Sequence, residues 1–187
     1  MNDAAPMGEL VSVPMLLARN AATRGDHAAY REKEFGIWQS WTWAEAAQEI
    51  EALALGLINL GVSAGDHIAI IGRNRPSLYW SMVAVQMTGC VPVPLYQDAA
   101  AEEIAYAIGN SGARFAIVGD QEQVDKITDV REDIPALEYL IYVDGQGLRK
   151  YDHTKMSAFA AVQADGRENG DKAELAARIA SLTYDST

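Results

Sequence analysis

The sequence predicts an α/β protein: a doubly wound, mostly parallel sheet flanked by helices, with an N-terminal β-hairpin. Three observations carry the prediction. The runs "HIAIIG", "VPVPLY", "RFAIVG" and "EYLIYV" are short and nearly continuous in apolar residues, as strands covered on both faces are. Between them lie "PSLYWSMVAVQMTG", "AEEIAYAIGNSG" and "QEQVDKITDVRE", segments of helical length and composition. The chain has 187 residues, 49% of them hydrophobic, enough for one well-buried domain.

In chain order, "VPMLLARNAATRGD" places Leu16, Leu17, Asn20 and Ala21 on one helical stripe after Pro14, and Gly25-Asp26 ends it. "AAYREKEFGIWQSW" alternates about a turn at Phe35-Gly36, which predicts a hairpin carrying Trp38 and Trp41. "TWAE", Thr42 to Glu45, has the spacing of a capping box and starts a long helix. Its stripe is Ala46, Ala47, Ile50, Leu53, Ala54 and Leu57, and Gly61 stops it. The four strands and three helices named above follow. From Asp144 to Asp171 the sequence is turn-rich and polar, so residues 144–171 are expected to be loop-rich with one short helix, "TKMSAFAAVQA". A last helix and strand end at Tyr184, and residues 1–12 are expected to be flexible.

The formal net charge is −11, a field that repels nucleic-acid backbones and anionic membranes, so nucleic acid is excluded as a partner. The single cysteine, Cys90, excludes an internal disulfide, and its apolar neighbours predict a small buried side chain. The start "MNDAAPMGEL" has no basic lead and no apolar run, and no later stretch reaches the ~20 apolar residues of a membrane span. The expected location is the cytoplasm.

Few residues point to chemistry. His27, His67 and His153 stand alone, without a second ligand at metal spacing, so no metal site is assigned. "IIGRNRP" is a strand-turn-helix junction with Gly72 in the turn and Pro76 at the first helical position; Asn74 and Arg75 then lie where doubly wound sheets bind ligands. The dinucleotide fingerprint G-x-G-x-x-G is absent, which counts against a nicotinamide or flavin oxidoreductase, the third reading. Glu122, Asp125, Asp129, Glu132 and Asp133 fall on one polar helix and its exit and read as a solvated face. No catalytic residue is assigned.

The order of these pieces resembles the N-terminal part of the AMP-forming acyl-CoA synthetases, in the adenylate-forming superfamily. The resemblance runs from the Trp-bearing hairpin and "TWAE" through "GDHIAIIGRNRPSLYW" and "GCVPVPLY" to the terminal "SLTYDST". "YQDAAAEEIAYAI" and "VGDQEQVDKI" look most like the long-chain fatty acid branch. The resemblance implies that residues 1–187 form the N-terminal part of an AMP-binding domain. Complete members activate a carboxylic acid with ATP and Mg²⁺ as acyl-adenylate and pass it to coenzyme A. In that family the last strand leads into a Ser/Thr/Gly-rich loop that holds the ATP phosphates. Tyr184 and Ser186 match its start, Asp185 and Thr187 depart from it, and Ser186 and Thr187 are the candidate phosphate contacts. A carboxylate facing triphosphate is repelled, so Asp185 is assigned no contact.

By the same resemblance, the parts that perform the chemistry follow these residues, and the chain alone is expected to be inactive. An apolar face left bare would drive self-association. A stand-alone, non-catalytic binding or regulatory module on the same fold is the alternative reading.

Overall fold

A computed structural model of the chain describes residues 12–182. The expectations for residues 1–11, for the strand end at Tyr184, and for Ser186 and Thr187 therefore lie outside the described residues.

Strands β3 (His67–Ile71), β4 (Val91–Leu95), β5 (Phe115–Val118), β6 (Tyr139–Tyr142) and β7 (Met156–Ala158) form one sheet in the order β4-β3-β5-β6-β7, every neighbouring pair parallel. Side chains alternate between its faces. Ile68, Ile70, Phe115, Ile117 and Ile141 join a core built with helices α1 (Val13–Arg24), α2 (Trp43–Asn59), α3 (Pro76–Met87) and α6 (Phe159–Asn169). Ala69, Ile71, Ala116, Val118 and Leu140 join a second core with α4 (Ala101–Ser111) and α5 (Gln121–Asp129). A final helix, α7 (Lys172–Ala180), starts on Asp171, whose carboxylate accepts from the amides of Ala173 and Glu174. The expected doubly wound architecture is the one observed.

The hairpin is β1 (Ala28–Glu34) and β2 (Ile37–Thr42), joined through Phe35 and Gly36. Both joining residues have positive φ, +47° and +81°, as a type I′ turn requires. Its base is held by rings: Trp41 meets Trp80 edge-on at 5.4 Å, and Tyr30 meets Trp80 at 6.1 Å. The capping box forms as expected. The Glu45 amide donates to Thr42 Oγ1 at 3.2 Å, and the Thr42 amide donates to Glu45 Oε2 at 2.8 Å. These bonds hold the Glu45 carboxyl below the usual carboxylate range.

At the N-terminal ends of the central strands, Arg114 ties three elements together. Its Nη1 donates to Asp66 just before β3 at 2.8 Å, and its Nε and Nη2 donate to both oxygens of Glu138 just before β6.

The structure departs from the sequence reading in the tail. "TKMSAFAAVQA" is not one short helix: Met156–Ala158 is the edge strand β7, and α6 continues through Gly166 to Asn169. The reason is a helix crossing. A Cβ on Gly166 would overlap the Ala52 carbonyl oxygen, and one on Gly56 would overlap the Val162 carbonyl oxygen, so α2 and α6 touch backbone to backbone. Gln163 adds a bond from its amide to the Glu49 carbonyl at 3.0 Å. Gly166 lies in the stretch the sequence marks as loop-rich, yet it serves close approach within a helix. Exposed apolar side chains gather at the hairpin, where Phe35, Ile37 and Trp38 protrude, and near the β4 edge, where Val91, Tyr96 and Tyr106 do.

Two stability measurements follow. In urea denaturation Gly166→Ala is expected to cost roughly 2–3 kcal/mol, since neither backbone can give way. Thr42→Ala is expected to cost about 1 kcal/mol by loss of the cap.

Candidate functional site

The chain leaves β3 toward one edge of the sheet, reaches β4, and then returns to the other side of β3 to form β5. Helices α3 and α5 therefore diverge from adjacent strands, and the crevice between them opens beyond the strands' carboxyl ends. This crevice measures about 630 Å³. Ile70, Ile117 and Leu78 supply its apolar floor.

Two glycines shape its throat. A Cβ on Gly119 would sit 3.3 Å from the Gly72 Cα, so a side chain there would press the two strand ends apart by a few tenths of an ångström, while one on Gly72 would make ordinary contact at 3.5 Å. Beyond them the ladder continues for one step: the Gly119 amide donates to the Ile71 carbonyl at 2.8 Å, and the Asp144 amide donates to the Gly119 carbonyl at 2.8 Å.

The walls are polar and of both signs. Arg73 and Arg75 come from the turn after β3, Asp120, Gln121 and Glu122 from the start of α5, and Asp144 and Gln146 from the turn after β6. Helices α3 and α5 both begin here, on Arg75 and Asp120, and neither cap residue makes a side-chain cap bond. Their first-turn amides, and the positive ends of their dipoles, face the opening. The Asp120 Oδ1 is buried and has no hydrogen-bond partner among the described residues.

Gln121 is fixed from behind. Its Nε2 donates to the Tyr151 hydroxyl at 2.9 Å, and that hydroxyl donates to Asp125 at 2.6 Å. Gly147, at φ +84°, lies so close that a Cβ there would overlap Gln121 Oε1. The Asp125 carboxylate raises the Tyr151 pKa by accepting its proton in a hydrogen bond, against the lowering effect of the Gln121 donor.

Of the two residues that the sequence places at the ligand end of β3, the structure brings only Arg75 into the wall. Asn74 turns away, and its Oδ1 accepts from the Tyr79 hydroxyl. Arg75 also reaches the hairpin, 3.1 Å from Glu32 and 3.9 Å from Glu34. The acidic helix is a solvated face only in part: Glu122 lines the crevice and Asp125 holds Tyr151. Asp120, Gln121, Asp144 and Gln146 were missed, although a glycine or aspartate directly after an apolar strand is the signal that marks such positions. His27, His67 and His153 lie apart, and among the described residues no group of three His, Cys, Asp or Glu side chains is placed to hold a metal. Cys90 is fully buried, which raises its thiol pKa.

The family described as AMP-binding enzyme matches residues 17–184. The long-chain-fatty-acid–CoA ligase FadD15 of Mycobacterium bovis, and its counterpart in Mycobacterium tuberculosis, are each 31% identical over 178 residues, 94% of this chain but 28% of theirs. The Mycobacterium tuberculosis protein Rv1549 is 32% identical over 107 residues, 57% of this chain and 59% of its own length. Among solved structures, one described as a long-chain-fatty-acid CoA ligase from Rhodopseudomonas palustris superposes with a TM-score of 0.67 at 22% identity, covering 81% of this chain and 36% of that one. The anthranilate CoA ligase AuaEII, solved with anthranoyl-AMP, gives 0.70 at 20% identity, covering 81% and 27%. These structural likenesses bear on the fold alone.

The hydrogen-bonded relay sets a pH prediction. Asp125→Asn is expected to bring the Tyr151 titration down, and Gln121→Leu to push it further up. Because its folded pKa is raised, Tyr151 adds stability at lower pH, and this is lost as pH rises through that pKa. NMR of ¹³Cζ-labelled tyrosine, assigned with Tyr151→Phe, reads both shifts.

Proposed function

The chain belongs to the AMP-binding enzyme family, and on that premise we propose that it is the N-terminal part of an ATP-dependent acid–CoA ligase that activates a fatty acid. The observation that carries this reading is the match of 94% of the chain to a long-chain-fatty-acid–CoA ligase, of whose length the chain spans 28%. The reaction must hold two anions, a carboxylate and an α-phosphate, in line while charge builds on the leaving pyrophosphate. ATP and Mg²⁺ supply that leaving group and its charge neutralisation, and coenzyme A supplies the accepting thiol.

The described residues contribute the scaffold and one wall of binding surface. The crevice offers guanidiniums, carboxylates, carboxamides and uncapped helix amides over an apolar floor, a set that fits a nucleotide-bearing ligand with donors and acceptors of both kinds. Ser186 and Thr187 are proposed to open the phosphate-holding loop, and Asp185 is assigned no contact with the phosphates. Among the described residues no group of three His, Cys, Asp or Glu side chains is placed to hold Mg²⁺, and none of them is assigned to it. Among the described residues no helix is long and apolar enough to cross a membrane, and the proposed location is the cytoplasm.

A second reading, a binding or regulatory module without catalysis, draws support from the mycobacterial relative of similar length. The two readings part on measurement. We expect the 187-residue chain, given fatty acid and Mg-ATP, to release no pyrophosphate, and a longer product of the same gene to release it in proportion to fatty acid. Pyrophosphate from the chain alone would overturn the first expectation. A native product of 20.3 kDa in the source cells would favour the module.

A further inference from the structure

Sheet edges are where chains pair by accident, and this protein guards its edges unevenly. The main sheet ends on β4, whose Pro92 and Pro94 lack N–H donors, and on β7, which is three residues long. In the hairpin, β1 carries a bulge between Ala28 and Tyr30 and the charges Arg31, Glu32, Lys33 and Glu34. Strand β2, "IWQSWT", has no charge, no proline and no bulge of its own, and Ile37 through Ser40 are all exposed. Among the described residues it pairs only with β1.

The outward groups follow from the register. Across a two-residue turn the flanking pair, Glu34 with Ile37, exchanges both main-chain bonds, so Trp38 and Ser40 direct their N–H and C=O away from β1. The tip carries a cost as well. Phe35 holds a positive φ that a bulky side chain rarely adopts, and it is 97% exposed. Trp38, 65% exposed, stands on the face opposite the ring cluster of Tyr30 and Trp41.

We propose that the β2 edge is a self-recognition surface on which a second copy of this chain pairs antiparallel about a two-fold axis through Gln39. In that register Trp38 of one copy and Ser40 of the other exchange both main-chain bonds, on each side of the axis, giving four bonds in all. The two Gln39 residues face each other as a non-hydrogen-bonded pair, and the two Trp38 rings are diagonal neighbours within reach. Local charge leaves this edge open to a second copy. Each chain carries a net charge of −11, but β2 is uncharged and the four charges of β1 cancel, so two acidic chains meet here with little repulsion. One paired strand buries less than a standard interface, so the dimer is weak and reversible. The proposal is independent of the ligase reading, because its readouts need neither nucleotide nor acyl substrate.

The test uses sedimentation velocity and cross-linking of the 187-residue chain. At about 0.1–0.5 mM a reversible dimer is expected. Ser40→Pro removes an outward N–H without touching the bonds to β1, and Trp38→Glu sets two like charges near each other; each is expected to weaken association by roughly tenfold or more. Circular dichroism and melting temperature check that both variants fold, and either variant alone suffices if the other does not. Cys90 is buried, so Gln39→Cys adds the one exposed thiol of the described residues. In the paired state the two Cα atoms lie about 4.5 Å apart, within disulfide reach. Oxidation of Gln39→Cys is expected to give covalent dimer much faster than that of Asn110→Cys on α4. A monomer throughout the concentration range, a dimer unchanged in the folded variants, or equal cross-linking of the two thiols would each overturn the proposal.

Discussion

Ile68–Ile71 and Phe115–Val118 lie side by side in the middle of the sheet, and all eight residues are shut away from water on both faces. Two strands in that position need a cover above and below, and the alternation of their side chains supplies each cover with its own anchor points. Helices α1, α2, α3 and α6 close one side, α4 and α5 the other. The rest of the molecule is set by how the chain enters and leaves this pair. Arg114 draws the entrances of β3, β5 and β6 together through Asp66 and Glu138, while Gly72 and Gly119 let the exits approach.

Because β3 and β5 are followed by helices on opposite faces, the exits cannot close over themselves. The crevice is thus a product of topology before it is a product of any side chain. Side chains then decide its character. The apolar floor comes from the strands and α3, and the charged walls come from turns, where backbone freedom lets arginine, aspartate and glutamine face the same space. Arg75 joins this wall to the hairpin through Glu32, so the crevice and the aromatic base of the hairpin share a boundary.

The far side of the molecule shows the opposite strategy. Where α2 crosses α6, polar side chains are replaced by bare backbone, and Gly56, Gly166 and Gly170 trade conformational freedom in the unfolded chain for close packing in the folded one. Arg167 reaches Glu49, and Asn59 donates to Asp165 at 2.7 Å, but these pairs sit on the rim of a contact that shape has already made.

By itself the sequence determined strands β3 to β6, most of the helices, the hairpin with its turn and the capping box. Those depend on interactions within a few residues: alternation, helical spacing, and the reach of Thr42 to Glu45. It also carried the family likeness, since ordered local motifs survive in the linear text. The tertiary structure alone decided that Gly166 belongs inside a helix, since only the facing backbone of α2 makes a missing side chain an advantage there. It likewise decided that Asn74 serves Tyr79 while Arg75 serves the crevice, and that Gln121, Tyr151 and Asp125 act together. Residues 30 positions apart are joined by the return of the chain across β6, a distance that no local pattern encodes.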